Sequence, residues 1–249
     1  MRADRFDRRM PKTTLRRVAR TIIIGDVHGC SAELRDLVQA LQLAAGDRIY
    51  FVGDLIGRGP DSRGVLAQVR QLPAVSIQGN HERRLLEVHH AGLNGRRARL
   101  GPGHRKLMYL LSDEDWETLA KMPLFVSLPH HQLVVVHAGI DPAVPIAQQD
   151  HWVLTHLRSF DDQGAPSHRD GERSWAAGYS GTNHVVFGHN ALRGLQLHAH
   201  ATGLDTGCVY GGRLTALVLN VDEEVPPPEL RMDAIVSVPA RRKYFDPSH

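Results

Sequence analysis

Five short apolar runs in this chain each end in a small polar cluster, and this repeated pairing is the feature that most restricts its fold. The runs are rich in Ile and Val, and the clusters combine glycine with Asp, His or Asn. Short β-branched runs of this kind predict buried strands. Because α/β folds place ligands beyond the carboxyl ends of their strands, the pattern predicts a metal centre there. The clusters occupy residues 25–29, 53–54, 79–82, 137–139 and 188–190.

The apolar spacing as a whole predicts an α/β fold. Helices are expected between the first three strands, where Ser31 can cap one helix and Asp61 or Ser62 begins another, and Ser112 caps a later helix. Strands then follow with fewer helices between them, which is typical of two mixed β-sheets packed as a sandwich and flanked by helices. We expect the strands near residues 20–24, 48–52, 74–78, 124–128, 132–137, 184–188, 202–205, 213–220 and 232–238.

Length and composition predict a single domain. The chain has 249 residues, of which 42% are hydrophobic and 23% are charged, as in an ordinary globular protein. We expect a basic N-terminal tail over residues 1–18, one domain over 19–240 and a C-terminal tail over 241–249. Residues 83–108 mix basic side chains with glycine-rich breaks, and we expect residues 83–122 to form a helical cap insertion over the site.

Charge and cysteine content exclude several classes of protein. The formal net charge is only +3, and part of it belongs to the N-terminal tail and to residues 241–243. Two solvated tails explain this charge, with a weak attraction to a polyanionic partner as the alternative, and the even spread of charge elsewhere does not resemble a nucleic-acid-binding stripe. No apolar run approaches the ~20 residues of a membrane span, and none follows the basic N-terminus as a secretory signal would require. We therefore expect a cytoplasmic enzyme without membrane contact. Cys30 and Cys208 are too few for a disulfide framework and are expected to be free thiols.

The polar clusters supply six candidate metal ligands. A single Asp or His at a strand end is commonly a turn former or a core residue, but here that explanation must hold five times. Oxygen and imidazole donors without thiolate suit Mn²⁺, Fe or Zn²⁺ better than Ca²⁺. Two ions about 3.5–4 Å apart, bridged by one carboxylate, would use the whole set and generate hydroxide for in-line attack at phosphorus. The candidates are Asp26, His28, Asp54, Asn80, His137 and His189.

These clusters resemble those of the calcineurin-like metallophosphoesterases, and within them the phosphoprotein phosphatase branch that includes bacterial symmetrical diadenosine tetraphosphate hydrolases. The resemblance covers residues 19–220 and is most specific at 25–29 and 79–82. Segments 53–60 and 204–212 look more like the nucleotide hydrolases than like the protein phosphatases. The resemblance implies two divalent metal ions, with Mn²⁺ expected and Fe, Zn²⁺ or Co²⁺ as alternatives.

The resemblance also assigns roles to these residues. It implies that Asp54 bridges the two metals, that the first metal is bound by Asp26 and His28, and that the second is bound by Asn80, His137 and His189. It further implies that His81 is the general acid, that Arg58 clamps phosphate and that Tyr210 contacts substrate. The residue types agree, because His titrates near neutrality and Arg can donate a bidentate fork to phosphoryl oxygens.

Two positions depart from the protein phosphatase pattern. Gly57 stands where many relatives carry an Asp that orients the catalytic histidine, and the resembled nucleotide hydrolases also lack that Asp. Ser180 stands where relatives often place a second phosphate-binding Arg, so that role is open, with Arg173, Arg193 or Arg213 as candidates.

The predicted activity is hydrolysis of dinucleoside polyphosphates, with diadenosine tetraphosphate converted to two ADP. A serine/threonine protein phosphatase with the same metal centre is the alternative, and removal of nucleoside-polyphosphate caps from RNA is a further one. The partner would accordingly be a dinucleoside polyphosphate, a phosphoprotein or a capped RNA. A catalytically silent nucleotide-binding module is a different class, against which the complete ligand set and His81 argue. The oligomeric state stays open.

Overall fold

A computed structural model describes residues 18–93 and 100–246 of the chain. It contains six α-helices within those ranges: α1 (Ser31–Leu41), α2 (Ser62–Gln71), α3 (Asn80–Leu93), α4 (Pro102–Leu110), α5 (Asp113–Ala120) and α6 (His151–His156). The strands described are β1 (Arg20–Ile24), β2 (Arg48–Phe51), β3 (Ala74–Ser76), β4 (Phe125–Leu128), β5 (Leu133–Val136), β6 (Ser159–Phe160), β7 (Pro166–Ser167), β8 (His184–Phe187), β9 (Gln196–Leu197), β10 (Ala201–Gly203), β11 (Arg213–Asn220) and β12 (Ile235–Pro239).

The strands form two mixed five-stranded sheets. The first has the order β12-β11-β1-β2-β3, in which β1, β2 and β3 run parallel and β11 and β12 are added antiparallel. The second has the order β4-β5-β8-β10-β9, with a parallel centre of β5, β8 and β10 and an antiparallel strand at each edge. Strands β6 and β7 pair separately as a short hairpin.

One apolar layer lies between the two sheets. It combines Ile23 and Leu217 of the first sheet with Val135 and Val186 of the second, all of them inaccessible to solvent. Burying a side chain of this size contributes roughly 1.5–3 kcal/mol, so this layer fixes how the sheets face each other. The carboxyl ends of the parallel strands of both sheets therefore meet at one edge of the sandwich.

Helices cover the outer faces of the sandwich. Leu34 and Leu37 of α1 and Val65 of α2 are buried in the core on the outside of the first sheet. On the second sheet, Leu154 of α6 packs with Trp175. The predicted α/β sandwich with flanking helices is thus confirmed. In the described ranges we find no helix with the length and apolar character of a membrane span.

Local details differ from the sequence predictions. Ser31 is the first residue of α1 and not its cap; Cys30 occupies the N-cap position, and the Ser31 hydroxyl donates to Asp61 instead. The last predicted strand begins at Ile235, because the residues before it form a 3₁₀ helix. Ser112 makes the expected cap of α5, with a reciprocal capping box to Asp115.

The two predicted tails and the predicted cap can be placed only in part. Residues 1–17, 94–99 and 247–249 lie outside the described part of the chain. Helices α3, α4 and α5 span most of the expected cap region. At the other end, the Arg241 guanidinium pairs with Asp36 of α1 at 2.8 Å, and the Tyr244 hydroxyl donates to Glu33 at 2.7 Å. The segment that follows β12 therefore packs along α1 as far as Asp246.

Candidate metal centre

The strand-end loops of both sheets converge at the shared edge, and they bring all six predicted metal ligands together. Those after β1, β2 and β3 belong to the first sheet, and those after β5 and β8 belong to the second. A side-chain atom of each candidate ligand lies within 4.0 Å of a side-chain atom of another. One backbone N–H, that of His189, also donates to a candidate ligand. The candidate ligands are Asp26, His28, Asp54, Asn80, His137 and His189.

Asp54 lies between two groups of ligands. Its Oδ2 is 3.4 Å from Nε2 of His28, and its Oδ1 is 3.6 Å from Nε2 of His137. On the first side, Oδ2 of Asp26 is 4.0 Å from the same His28 nitrogen. The two oxygens of one carboxylate thus face different imidazoles, which would allow Asp54 to contact two ions.

Asn80 contacts both histidines of the second group of candidate ligands, His137 and His189. Its Oδ1 is 3.0 Å from Nε2 of His137 and 3.2 Å from Nδ1 of His189. The backbone N–H of His189 donates to Asp26 at 3.1 Å, which ties this loop to the first group. Ligand atoms of Asp54, His137 and His189 all lie within 4.8 Å of one another, as do those of His28, Asp54 and His81.

The hydrogen bonds behind the rings make these residues suitable for cations. Nδ1 of His28 lies 3.2 Å from the Ile56 carbonyl, and Nδ1 of His137 lies 2.8 Å from the Val52 carbonyl. A carbonyl only accepts, so each Nδ1 carries the hydrogen and each Nε2 presents a lone pair to the centre. The His137 lone pair then faces the Asn80 carbonyl oxygen at 3.0 Å. Two acceptors at that distance fit a shared cation.

Three buried carboxyl groups crowd the centre. Burial raises the pKa of Asp54 to about 7 and that of Asp205 to about 6. Burial, followed by the charges of Asp205 and Asp54, raises the pKa of Asp26 well above its usual value. An uncompensated anion in such a place is costly, so this cluster favours positively charged ligands.

The surroundings of the histidines near these carboxyl groups favour the neutral form of each ring. Burial lowers the pKa of His137 to about 4, and it lowers the pKa values of His28, His81 and His189 well below the usual range. Neighbouring histidines and Arg58 add to this effect. Neutral imidazole is the form that binds metals, so both donor types at this edge are in keeping with a dimetal centre.

The backbone at the centre adopts an unusual conformation at four residues. His28, Asp54, Arg58 and His189 all have positive φ, between 46° and 67°. Left-handed backbone costs a residue with a side chain about 1–3 kcal/mol, and it persists only where surrounding contacts enforce it. Strain at four site residues indicates that the fold holds these side chains in place at the expense of stability.

Glu82 is one of the contacts that hold these loops. It is completely buried, and its Oε2 accepts N–H bonds from Asp54 and Gly79, both at 2.9 Å, while its Oε1 accepts from Ile56 at 3.1 Å. One carboxylate thus connects the loop after β2 to the loop after β3. Burial, then the charge of Asp54, raises the pKa of Glu82 to about 7.

His81 lies directly beside the centre. Its backbone N–H donates to Asp54 at 3.0 Å, and its ring lies 4.8 Å from that of His28. Nδ1 of His81 is buried and has no hydrogen-bond partner among the described residues. A Cβ added to Gly57, which has a φ of +86°, would lie 2.5 Å from that nitrogen. Gly57 thus faces His81, and the site leaves no room for a side chain at position 57 unless the His81 ring moves.

Arg58 also contacts the centre and lines the same cavity as His81. Its Nη1 is 2.9 Å from Nε2 of His28, and its guanidinium lies 5.5 Å from the Tyr210 ring centre and 5.9 Å from that of Phe245. Such cation–π contacts position the guanidinium without neutralising it. Tyr210 therefore lies at the site behind Arg58.

Arg158 was missed by the sequence analysis. Its Nε donates to Nε2 of His189 at 3.3 Å, whereas Arg193 pairs with Asp170 and Arg213 donates to Ser237. Arg158 follows α6, in a region without sequence periodicity, so no pattern pointed to it. Two further buried residues were missed, Asp205 and Glu82. Asp205 follows β10 and could have been found from the same strand-end signal.

A cavity of about 660 Å³ opens beside His81 and Arg58. Helix α4 contributes His104, Lys106 and Leu107 to its wall, and Phe245 closes it from the C-terminal segment. The His104 ring lies 4.8 Å from that of His81. The volume is in the range of small-molecule sites, and the wall combines basic and apolar side chains.

Comparison with known proteins gives consistent results. Residues 19–222 match the calcineurin-like phosphoesterase family. The chain is 33% identical over 222 residues to bis(5'-nucleosyl)-tetraphosphatase PrpE (asymmetrical) of Oceanobacillus iheyensis, covering 78% of this chain and 86% of that one. It is 32% identical over 246 residues to the protein of the same name from Halalkalibacterium halodurans, covering 88% and 94%.

A solved crystal structure provisionally named a diadenosine tetraphosphatase has the same fold, with a TM-score of 0.75 and 33% identity over 93% of this chain and 96% of that chain. A metallophosphoesterase from Sphaerobacter thermophilus shares the fold at a TM-score of 0.52 and 17% identity, over 91% and 89% of the two chains. Together with the donor set at the strand ends, these matches show that the chain belongs to the calcineurin-like phosphoesterases.

Proposed function

We propose that this protein hydrolyses dinucleoside polyphosphates, with diadenosine tetraphosphate as the representative substrate. The observation that carries the proposal is the cavity beside His81 and Arg58, because it adjoins the predicted metal ligands and could receive a nucleoside attached to a phosphate chain. Helix α4 borders this cavity, in support of our proposal that residues 83–122 act as a cap. The names of the relatives point in the same direction.

The predicted ligands would hold two divalent cations, with Mn²⁺ as the proposed metal. Asp26 and His28 would hold the first ion, Asn80, His137 and His189 would hold the second, and Asp54 would contribute to both. When bound, such a pair activates water and withdraws charge from the phosphoryl group under attack. The chain supplies the fixed donor geometry, since backbone carbonyls orient the rings of His28 and His137.

We assign His81 as the general acid. Its backbone is fixed by the bond to Asp54, and its buried Nδ1 has no hydrogen-bond partner among the described residues. Burial and neighbouring groups lower the pKa of the free ring, and the negative charge of a bound phosphate chain would raise it again. The protonated ring could then give a proton to the departing phosphate oxygen, a contribution worth typically 10²–10⁴-fold. His81→Asn should therefore slow substrates with poor leaving groups much more than substrates with good ones.

Arg58 and Arg158 are proposed to bind the phosphate chain from two sides. Arg58 contacts His28 of the first ligand group, and Arg158 contacts His189 of the second. Guanidinium groups on both sides can take charge from several phosphoryl oxygens at once, as a polyphosphate requires. Tyr210 supports Arg58 through its ring.

The position of cleavage is proposed from the relatives. The sequence motifs predicted symmetrical cleavage to two ADP, and that finer prediction is not confirmed. Both relatives described above carry the word asymmetrical in their names, at 32–33% identity over most of the chain. We therefore propose that diadenosine tetraphosphate yields ATP and AMP, which places the scissile phosphorus off the centre of the chain.

Product analysis tests the proposal. With Mn²⁺ and diadenosine tetraphosphate, equal amounts of ATP and AMP are expected, with one ¹⁸O from labelled water incorporated per turnover. Two ADP would overturn the asymmetrical position and keep the substrate class. No cleavage beside rapid turnover of a phosphopeptide would favour the protein phosphatase alternative, and preference for a capped RNA would favour decapping.

A pair of variants tests the site itself. Arg58→Met should lower kcat/KM by about 10²–10³-fold, because a donor to the reacting phosphoryl group is lost. Arg193→Met is the matched control, since that side chain pairs with Asp170 outside the centre. Equal activity of the two variants would remove Arg58 from the mechanism.

A further inference from the structure

A second cluster of metal-binding side chains lies outside the catalytic centre. Cys30, Glu33 and Cys208 each offer a ligand atom, and these atoms all lie within 4.8 Å of one another. Cys30 and Glu33 belong to the N-terminal turn of α1, and Cys208 begins a 3₁₀ helix after β10. All three are almost completely inaccessible to solvent, with at most 1% exposed.

One oxygen of Glu33 is unusual. Its Oε1 accepts from the Arg241 N–H at 2.9 Å and from the Tyr244 hydroxyl at 2.7 Å. Its Oε2 is buried and has no hydrogen-bond partner among the described residues. Burial of a carboxylate oxygen without a partner costs free energy, so such atoms in native proteins call for an explanation such as a bound ion.

We propose that Cys30, Glu33 and Cys208 form a binding site for a thiophilic divalent cation such as Zn²⁺, separate from the catalytic centre. Two thiolates with one carboxylate select Zn²⁺ over Mn²⁺, whereas the donors of the catalytic centre are oxygens and imidazoles. Tetrahedral Zn²⁺ at about 2.3 Å from each sulfur places the two sulfurs about 3.8 Å apart, which is compatible with ligand atoms that all lie within 4.8 Å of one another.

The location indicates what a cation would do there. Cys30 follows the loop that carries Asp26 and His28, and Cys208 follows the loop that carries Asp205. Arg241 and Tyr244 bring the C-terminal segment against Glu33, and the same segment places Phe245 on the cavity wall. We call the shared edge of the two sheets, where the candidate ligands lie, the catalytic edge. One cation would thus connect two loops of the catalytic edge to the C-terminal segment that borders the cavity. The site is structural, and it does not depend on which phosphate ester is hydrolysed.

The protonation of the cluster is consistent with an exchange of proton for metal. The hydrogen bond with Cys30, followed by burial, raises the pKa of the Cys208 thiol above its usual value. A cation must therefore displace the thiol proton, as metals do at other cysteine sites. Access requires the C-terminal segment to move, because its bonds to Glu33 cover the cluster.

Cobalt spectroscopy tests this proposal on the full chain. Thiolate bound to Co²⁺ gives an intense near-ultraviolet charge-transfer band, and carboxylate or imidazole does not. The chain contains only two cysteines, so any such band must come from Cys30 or Cys208. Reduced, metal-free protein titrated with Co²⁺ should develop the band with one thiolate-bound ion per chain, and Zn²⁺ should abolish it.

Variants separate this site from the catalytic one. Asp54→Asn removes the predicted bridge of the catalytic centre and should keep the band, whereas Cys208→Ser should lose it. Glu33→Gln should raise the Co²⁺ concentration at half-saturation about tenfold. Circular dichroism of the same samples establishes that the band belongs to folded protein.

Two results would overturn the proposal, and neither requires a variant to fold. One is the absence of the band in wild-type protein at Co²⁺ concentrations that support hydrolysis. The other is a Cys30–Cys208 disulfide, detected by mass spectrometry, in protein purified without reductant, which would mean that the two sulfurs pair with each other and not with a cation.

Discussion

Replacing Glu82 with Gln should loosen the catalytic edge without changing its ligands. The substitution keeps the size of the side chain and removes one acceptor. An amide oxygen in the place of Oε2 can still accept from Asp54 and Gly79, but the amide NH₂ then faces the N–H of Ile56. One bond to a charged acceptor becomes a contact between two donors.

The bonds set the size of the effect. A hydrogen bond to a charged group contributes about 1.5–3 kcal/mol to stability, and a hydrogen bond between neutral groups about 0.5–1.5 kcal/mol. Losing the bond from Ile56 and weakening the bonds from Asp54 and Gly79 therefore removes roughly 4 kcal/mol. The neutral Gln avoids the cost of burying a charged group, which offsets about 2 kcal/mol of that loss. We therefore expect Glu82→Gln to lower the free energy of unfolding by about 2 kcal/mol. Since Asp54 and Asn80 are in the loops that Glu82 connects, the Mn²⁺ requirement should rise about 10–100-fold.

Urea unfolding of metal-free protein and the Mn²⁺ dependence of hydrolysis measure these two effects. Glu87→Gln is the matched control: Glu87 lies on the same helix, is about half exposed and pairs with Arg83 at the surface, so its loss should change stability by less than about 0.5 kcal/mol. If Glu82→Gln unfolds at the same urea concentration and needs the same Mn²⁺ as wild type, Glu82 does not hold these loops together.

Three further predictions concern stability, each measured by urea unfolding. Gly57→Ala should lower the free energy of unfolding by about 1–3 kcal/mol, because Gly57 has a φ of +86° and its added Cβ would contact His81. Gly92→Ala, at an open position on a helix surface, should raise the free energy of unfolding by about 0.5–1 kcal/mol. Equal effects of the two substitutions would refute backbone strain at Gly57. Arg231 is fully buried and donates to three backbone carbonyls, so Arg231→Met should cost about 3 kcal/mol; a loss below 1 would contradict this. Burial lowers the pKa of His184 to about 3, so as the pH falls below about 6.5 the His184 ring takes up a proton in the unfolded chain but not in the folded one. This uptake favours unfolding, so the His184→Gln protein should lose about 1–2 kcal/mol less stability than wild type between pH 7 and 5. An equal loss in the two proteins would contradict this.

The convergence of the six candidate ligands could be predicted from sequence because their signal is local. A strand, a glycine and a polar residue are consecutive in the chain, and the parallel order of the strands brings such ends to one edge. Asp54 illustrates this: the run from Ile49 to Val52 predicts the strand, and the next two residues supply the turn and the ligand.

The missed contacts are those set by tertiary packing. Arg158 reaches His189 only because α6 packs on the second sheet through Leu154 and Leu157, and the six residues of α6 are too few to show a helical period. The contacts of Arg241 and Tyr244 with Glu33 join residues more than 200 positions apart. No local pattern in a single sequence carries that information.

The strain at the catalytic edge explains why anchors on two sides are needed. Four left-handed residues at about 1–3 kcal/mol each store an energy comparable to the net stability of a whole domain, which is about 5–15 kcal/mol. Glu82 opposes this strain between the loops after β2 and β3. The loops after β1 and β10 do not contact Glu82 through any described hydrogen bond, and they are the two that carry Cys30 and Cys208. A cation at that cluster would therefore hold the loop that carries the strained His28, which Glu82 does not reach.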